Sequence, residues 1–114
     1  MIGRIHGRRA FDRLARGGRR SHAGALWCTY APDEHLVPLR VAFAIPRAVG
    51  SAVTRNRLRR RLRALLAEQT ALASGALLVG AKPTAVELTF VQLRDNLRRL
   101  VTLVASSTAL GTSS

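Results

Sequence analysis

Residues 39–63, LRVAFAIPRAVGSAVTRNRLRRRLR, place a strand, a break and a helix in direct succession. Every second residue of 39–45 is a large apolar one, which predicts a strand with one apolar face. Pro46 ends that strand because its nitrogen cannot donate a hydrogen bond. Ser51 can accept a hydrogen bond at the start of a helix over residues 52–69. The stretch therefore predicts a half-buried strand followed by a surface helix.

The predicted helix separates its leucines from its arginines. At about 100° per residue the leucines share one arc of about 100°, and Asn56 and three arginines fill the adjacent arc. The leucines are Leu58, Leu62, Leu65 and Leu66; the arginines are Arg59, Arg60 and Arg63, with Arg57 and Arg61 further round. Solvated helices usually alternate Glu with Arg, but no acid occurs between Glu34 and Glu68. Such a cationic face indicates phosphate binding.

Composition supports a folded partner of a polyanion. The chain has 114 residues, which suggests one domain, and a formal net charge of +13. Because 47% of the residues are hydrophobic, a core can form, and the chain is not a disordered basic tail. Apart from Lys82 every cationic residue is arginine, which suits bidentate phosphate contacts and stacking on bases. A folded basic domain of this kind most often binds nucleic acid.

Several classes of protein are excluded. The single cysteine, Cys28, allows no internal disulfide and no cysteine-based zinc site, and it suits a reducing, cytoplasmic compartment. No apolar run approaches the roughly 18 residues that cross a bilayer, so we expect no membrane partner. The three histidines, His6, His22 and His35, are scattered, and no pair of carboxylates suggests general acid–base chemistry. We therefore expect no catalytic residue and no metal ligand in the protein itself.

The remaining elements predict a mixed α/β or α+β sandwich, and of these we expect the two-layer α+β form. Gly17 and Gly18 end a short first helix, and Thr89 and Gln92 form a capping box that opens the last helix. Apolar runs predict two further strands. The predicted order is α-β-β-(β)-α-β-α, with helices over about residues 10–17, 52–69 and 89–104, strands at 25–30, 39–45 and 76–80, and room for one more strand. We expect a single domain over 1–114, with a core of about 8–104 and a flexible tail at 105–114.

The aromatic residues favour single-stranded RNA over duplex DNA. A DNA-reading helix usually carries several amide or hydroxyl side chains, whereas this one offers only Asn56. Four aromatic residues of the first half, Phe11, Trp27, Tyr30 and Phe43, occur among arginine-bearing elements, which suits bases stacked on aromatic rings. Phe43 and Phe90 are expected in the core. A non-enzymatic, ribosome-associated RNA-binding protein and a DNA-binding module remain alternatives.

Residues 39–63 resemble the protein subunit of bacterial ribonuclease P. That family shows a strand, a Val-Gly-x-Ala-Val link and an Arg-Asn-Arg helix followed by paired cations. Here the link is 49–53 and the Arg-Asn-Arg motif is 55–57. The resemblance extends over about residues 8–104, through the first helix, the late strand and the last helix. The central motif is highly specific, and the flanking segments are weaker.

The resemblance implies an activity, partners and site residues. Ribonuclease P is an endoribonuclease that removes the 5′ leader from precursor tRNA, and its RNA subunit performs the hydrolysis with bound magnesium ions. The protein subunit binds that RNA, about 1:1, and holds the single-stranded leader between its first helix and the sheet. By position, the residues that meet the RNA subunit are Arg55, Asn56, Arg57, Arg59, Arg60 and Arg63. Those expected at the leader are Phe11, Arg13, Trp27 and Arg47.

The fold that the resemblance implies is that of the second domain of a small-subunit ribosomal protein, with a left-handed βαβ crossover. Two departures concern the leader cleft. The family usually has Ser-Lys-Lys where this chain has Pro46, Arg47 and Ala48, so one cation and one backbone donor are lost. Ala15 stands where the family often has a second aromatic residue. Whether Trp27 or Tyr30 faces the cleft is open at this point.

Overall fold

The computed structural model describes residues 2–4, 12, 14–16, 18–69 and 71–113. Within them a five-stranded sheet is combined with two long helices and a short N-terminal helical segment formed by residues 12 and 14–16. The strands are β1 (Gly3–Arg4), β2 (Arg19–Ala23), β3 (Leu26–Ala31), β4 (Arg40–Ala44) and β5 (Ala76–Ala81). The long helices are α1 (Ala52–Ala67) and α2 (Phe90–Ser113), and 3-10 turns occur at Arg47–Val49 and Pro83–Glu87. The mixed α+β class is confirmed.

The strand order is β1-β4-β5-β3-β2. β4 and β5 are parallel neighbours connected through α1, which is the predicted βαβ crossover, while β3 pairs antiparallel with both β5 and β2. Gly24 has a φ of 58° in the tight β2–β3 turn, a conformation that favours glycine. The register places Trp27 opposite Gly80 on β5, and Phe43 opposite Val79. The left hand of the crossover stays an expectation from the family.

Both long helices cover one face of the sheet. The predicted leucine stripe of α1 is buried, with no member more than 4% exposed. The apolar face of α2 packs into the same core beside Val41, Leu77 and Val79 of the sheet. The residues of α2 in this core are Leu93, Leu97, Leu100, Val101 and Val104. One continuous core therefore joins α1, α2 and three central strands.

The described residues cover the opposite face of the sheet only in part. Leu14 of the N-terminal segment packs there against Ala31 and Ala76, together with the half-buried Leu36 and Leu78. Toward the other end of the same face lies a shallow groove beside Trp27. The sheet thus has one closed face and one face with an open cleft.

The predicted helix starts are confirmed at the level of single hydrogen bonds. The Thr54 amide donates to the Ser51 hydroxyl at 3.2 Å at the start of α1. At the start of α2, the Gln92 amide donates to the Thr89 hydroxyl at 3.2 Å, and the Thr89 amide donates to the Gln92 side-chain oxygen at 2.9 Å. Each cap satisfies amide groups that lack a partner within the helix.

Two features of the element order differ from the prediction. The additional strand is Arg19–Ala23, before β3, and the two-residue β1 precedes the N-terminal segment. Arg19–Ala23 has no apolar alternation because β2 lies at the outer edge of the sheet, where backbone pairing with β3 and not burial determines the conformation. Helix α2 also continues to Ser113, so the backbone of the predicted tail is helical to that residue.

Candidate RNA interface

The arginines of α1 carry charge that the described part of the chain does not neutralise. The ion pairs there are His35–Glu34, Arg94–Glu68 and Arg99–Asp95. None involves an arginine of α1, and the nearest acid in sequence, Glu68, is already paired with Arg94 at 3.7 Å. The arginines concerned are Arg55, Arg57, Arg59, Arg60, Arg61 and Arg63. Like charges one turn apart destabilise a helix, so an external anion would stabilise this one.

These arginines lie on both flanks of α1. Arg59 and Arg63 line a groove of about 370 Å³ together with Arg4 of β1 and residues 41–43 of β4. The Arg63 guanidinium lies 5.5 Å from the centre of the half-buried Phe43 ring. This combination of cations and one aromatic edge suits a sugar-phosphate backbone with an unpaired base.

On the other flank, Arg57 and Arg61 border a smaller groove with Ala85, Val86 and Leu93. This placement confirms the prediction that these two arginines lie further round the helix than the Arg59–Arg63 side. Arg60 and Asn56 are exposed between the two flanks. Helix α1 therefore presents cations over nearly its whole solvent-facing circumference.

Two predicted residues of the Arg-Asn-Arg motif have distinct local roles. The Arg59 Nη1 donates a hydrogen bond of 2.6 Å to Oδ1 of Asn56. Arg55 is half-buried, and its Nε is a buried donor with no hydrogen-bond partner. A buried donor without an acceptor costs free energy, so an incoming phosphate oxygen would be stabilising there. Which of the α1 residues contact RNA stays a prediction.

The open face of the sheet contains Trp27. Its indole lies against the backbone of Gly80, where a Cβ would collide with the ring. The Arg20 guanidinium covers the ring from the outside, 4.3 Å from its centre. The groove beside it, about 290 Å³, is lined by Trp27 and by residues 44–46 and 81. A flat ring held between backbone and guanidinium is a rigid element at the edge of this cleft.

Of the four residues expected at the leader, the structure describes two. Trp27 lies on the open face, and Arg47 is exposed directly after Pro46, which lines the same groove. Phe11 and Arg13 lie outside the described residues. The neighbouring Leu14 packs on the open face, at the end of the sheet away from Trp27. Binding of a leader by any of these residues stays a prediction.

The choice between Trp27 and Tyr30 is resolved by the sheet. Tyr30 belongs to the core beneath the two helices and is 6% exposed. Its hydroxyl donates a hydrogen bond of 2.7 Å to the Ser74 carbonyl, and burial raises the pKa of the phenol. Since side chains alternate along β3, Trp27 lies on the opposite face. Of these two aromatic residues, only Trp27 lies on the face that contains the open cleft.

Two aromatic residues were expected in the core. Phe43 is half-buried and packs against the core, in agreement with that expectation. The expectation for Phe90 is wrong, since its side chain is 40% exposed at the start of α2. The Arg94 guanidinium lies 5.1 Å from the centre of its ring. Phe90 is the first residue of α2, at the exposed end of that helix.

The described residues offer little for catalysis. They contain no group of three or more His, Cys, Asp or Glu side chains that could hold a metal ion. Cys28 is 1% exposed, and burial raises the pKa of its thiol to about 12, so it is not a nucleophile at neutral pH. Among the same residues no helix has the length and hydropathy needed to cross a membrane.

Comparison with known proteins agrees with the family resemblance seen in the sequence. Curated relatives named ribonuclease P protein component include one from Thermus brockianus, 38% identical over 97 residues. Another, from Thermobifida fusca, is 40% identical over 103 residues. The alignments cover 83% and 82% of this chain, but 56% and 70% of those relatives. The chain thus spans little more than half the length of the first relative.

Solved structures share the fold. The Staphylococcus aureus RNase P protein aligns with a TM-score of 0.77 at 19% identity, covering 89% of this chain and 94% of that one. The RNase P protein from Thermotoga maritima aligns with a TM-score of 0.72 at 20% identity, covering 86% and 94%. The family model described as Ribonuclease P matches residues 3–104. The chain therefore belongs to the ribonuclease P protein component family.

Proposed function

We propose that this protein is the protein subunit of ribonuclease P, the endoribonuclease that removes the 5′ leader from precursor tRNA. It binds the catalytic RNA subunit through α1 and holds the single-stranded leader on the open face of the sheet. The family match over residues 3–104 supports this proposal. The two RNA-binding surfaces are independent parts of it, and each can be tested separately.

The observation that carries the proposal is the set of uncompensated arginines on α1. Like-charged pairs one turn apart, such as Arg55–Arg59 and Arg59–Arg63, each cost about 0.2–0.5 kcal/mol in a helix. Among the described residues, no carboxylate forms an ion pair with these arginines to offset that cost. RNA phosphates would remove it and release counterions. The residues we assign to the RNA subunit are Arg55, Asn56, Arg57, Arg59, Arg60 and Arg63.

The leader site is assigned to the open face. Trp27 supplies a rigid aromatic element and Arg47 a cation at the end of the same groove. Phe11 and Arg13, which lie outside the described residues, are assigned to the same site because the family resemblance implies it. A groove bordered by a flat ring and a cation suits an unpaired strand, whose bases can be splayed onto flat groups. We expect no binding of duplex DNA and no membrane association.

The hydrolysis is assigned to the RNA subunit. Magnesium ions held by that RNA and the substrate supply Lewis acidity at the scissile phosphate. The described protein residues lack a cluster of suitable ligands, and magnesium usually binds through carboxylates and phosphates. Arginines close to the phosphates instead position the substrate and reduce its repulsion from the RNA. We expect this work to take place in the cytoplasm.

Reconstitution tests the proposal. Purified protein, the cognate RNA subunit and the equimolar mixture are each incubated with precursor tRNA at low magnesium. We expect 5′ leader removal only in the mixture, and recovery by the RNA subunit alone at high magnesium. Leader removal by the protein alone, or no gain on adding the protein, would overturn the proposed division of labour.

A messenger RNA belongs in the same experiment. One structural neighbour is described as a Staphylococcus aureus RNase P protein mutant with defective mRNA degradation activity. We expect the present protein, without its RNA subunit, to leave an mRNA intact, because its described residues contain no group that could hold a catalytic metal ion and its cysteine is buried. Cleavage of mRNA by the protein alone, retained after nuclease-free repurification, would contradict that expectation.

A further inference from the structure

Three flat layers are stacked on the open face of the sheet. The bottom layer is the backbone at Gly80, the middle layer is the Trp27 indole, and the top layer is the Arg20 guanidinium, 4.3 Å from the ring centre. Arg20 is exposed and Trp27 is half-buried. Both faces of the indole are therefore already occupied, and the surface that the stack presents to solvent is the guanidinium.

Side chains alternate between the two faces of a strand, so Arg20 and its neighbour Arg19 lie on opposite faces of the sheet. Arg20 is paired with Thr29 and lies on the same face as Trp27, whereas Arg19 is paired with Tyr30 on the helix-covered side. Arg19 and Arg20 are both exposed and carry the same charge. Any effect of the guanidinium on a ligand in the open cleft should therefore belong to Arg20 alone.

A nucleobase could meet this stack in two ways. It could displace Arg20 and stack on the indole, which would break the cation–π contact between the two side chains. It could instead stack on the outer surface of the guanidinium, as bases do on arginine planes in many RNA complexes. Stacking on the guanidinium leaves the contact between Arg20 and Trp27 intact and keeps the positive charge beside the phosphates. The geometry therefore favours addition to the stack.

We infer that the Arg20 guanidinium, supported by Trp27 and Gly80, is the surface on which an unpaired base of the leader stacks. The inference rests on the proposed function, since it names the residue that receives a leader base. It differs from a purely electrostatic role, in which any cation at residue 20 would serve.

A charge-conserving substitution separates the two roles. Arg20→Lys keeps the charge but replaces a flat group by a compact ammonium, and Arg19→Lys is the matched control. The probe is a single-stranded oligoadenylate, titrated into the full-length protein. We expect Arg20→Lys to weaken binding by roughly tenfold, within the range for losing one stacked base, and Arg19→Lys to have no effect. Equal affinity of Arg20→Lys and the unchanged protein would overturn the inference.

Trp27 provides a second measurement because it is the only tryptophan in the chain. In the unchanged protein the guanidinium separates the base from the indole, so oligoadenylate should quench the fluorescence weakly. In Arg20→Ala the base can reach the indole, and quenching should become strong. Strong quenching in both proteins would mean that the base displaces Arg20. Weak quenching in both would mean that no base reaches the stack. Either result contradicts the inference.

The holoenzyme distinguishes failure of the inference from failure of the proposed function. With the RNA subunit present, Arg20→Lys should weaken binding of precursor tRNA and leave binding of mature tRNA unchanged. If leader removal is intact but precursor binding does not respond to Arg20→Lys, the function stands and the role of Arg20 is wrong. If no leader removal occurs at all, the proposed function fails, and the oligoadenylate titration still decides how Arg20 meets a base.

Discussion

The Arg59 guanidinium is held by Asn56, one turn earlier on α1, through a hydrogen bond of 2.6 Å from Nη1 to Oδ1. Both residues are on the solvent side of the helix, and the bond fixes where the charge of Arg59 is presented. Under the proposed function, Asn56 would orient the guanidinium that we assign to an RNA phosphate, without contacting a base itself.

That relationship predicts non-additive effects on RNA binding. Asn56→Ala should weaken binding of the RNA subunit less than Arg59→Ala, because the charge remains but its position is no longer fixed. The double variant should bind like Arg59→Ala alone, giving a coupling of about 0.5–3 kcal/mol in a double-mutant cycle. Filter binding at constant salt measures it. Strictly additive losses would show that Asn56 contacts RNA by itself.

The salt dependence of binding should report the number of phosphates met by α1. If about six are neutralised, the log–log slope of affinity against salt should be roughly −4 to −5. The double substitution of Arg59→Ala with Arg63→Ala should reduce the magnitude of that slope by roughly 1.4 to 1.8. Arg16→Ala with Arg98→Ala removes the same charge outside α1 and serves as the control. A slope near zero, or equal flattening by both pairs, would contradict the assignment to α1.

Phe11→Ala should discriminate between substrates of the holoenzyme. We expect binding of precursor tRNA to lose about 1–3 kcal/mol, the range for one base stacked on an aromatic ring, while mature tRNA binds unchanged. Phe90→Ala removes an exposed aromatic ring at the start of α2 and should affect neither substrate. An equal loss for precursor and mature tRNA, or a lower melting temperature, would assign Phe11 to packing.

Cys28 should resist alkylation in the native protein. Its burial raises the pKa of the thiol to about 12 from 9.0, so the thiolate is scarce at pH 8. The folded state holds this proton more tightly than the unfolded state, and the free energy of unfolding should therefore fall as pH rises from about 9 toward 12. Cys28→Ala should lack that component. Rapid labelling by iodoacetamide without denaturant would contradict the burial.

Much of the fold is predictable from the sequence because its patterns are local. The alternation in residues 39–45 and the leucine spacing of α1 predict a strand and a helix that the structure confirms. Ser51 and Thr89 likewise mark the helix starts through hydrogen bonds to residues three positions away. Such signals depend on neighbours in the chain, so one sequence is enough to read them.

The remaining features depend on distant partners. Strand β2 is polar and acquires its conformation by pairing with β3. The sequence of β2 has no apolar periodicity from which that pairing could be predicted. The stack of Arg20 on Trp27 requires β5 to present Gly80 beneath the ring, 53 residues further along the chain. The side of the sheet occupied by Trp27 could have been inferred from alternation once Tyr30 was known to be buried. The register that decides this is a tertiary property.

The position of β2 at the rim of the sheet also bears on how the protein behaves when RNA is removed. Its outer backbone edge could pair with a strand from another copy, and the charges of Arg19 and Arg20 oppose this by repulsion between copies. Concentrated salt shortens the reach of that repulsion to a few ångströms. High salt dissociates nucleic acid from the arginines, and it therefore also weakens the repulsion that opposes self-association. Preparations without RNA should be kept dilute until RNA is added back.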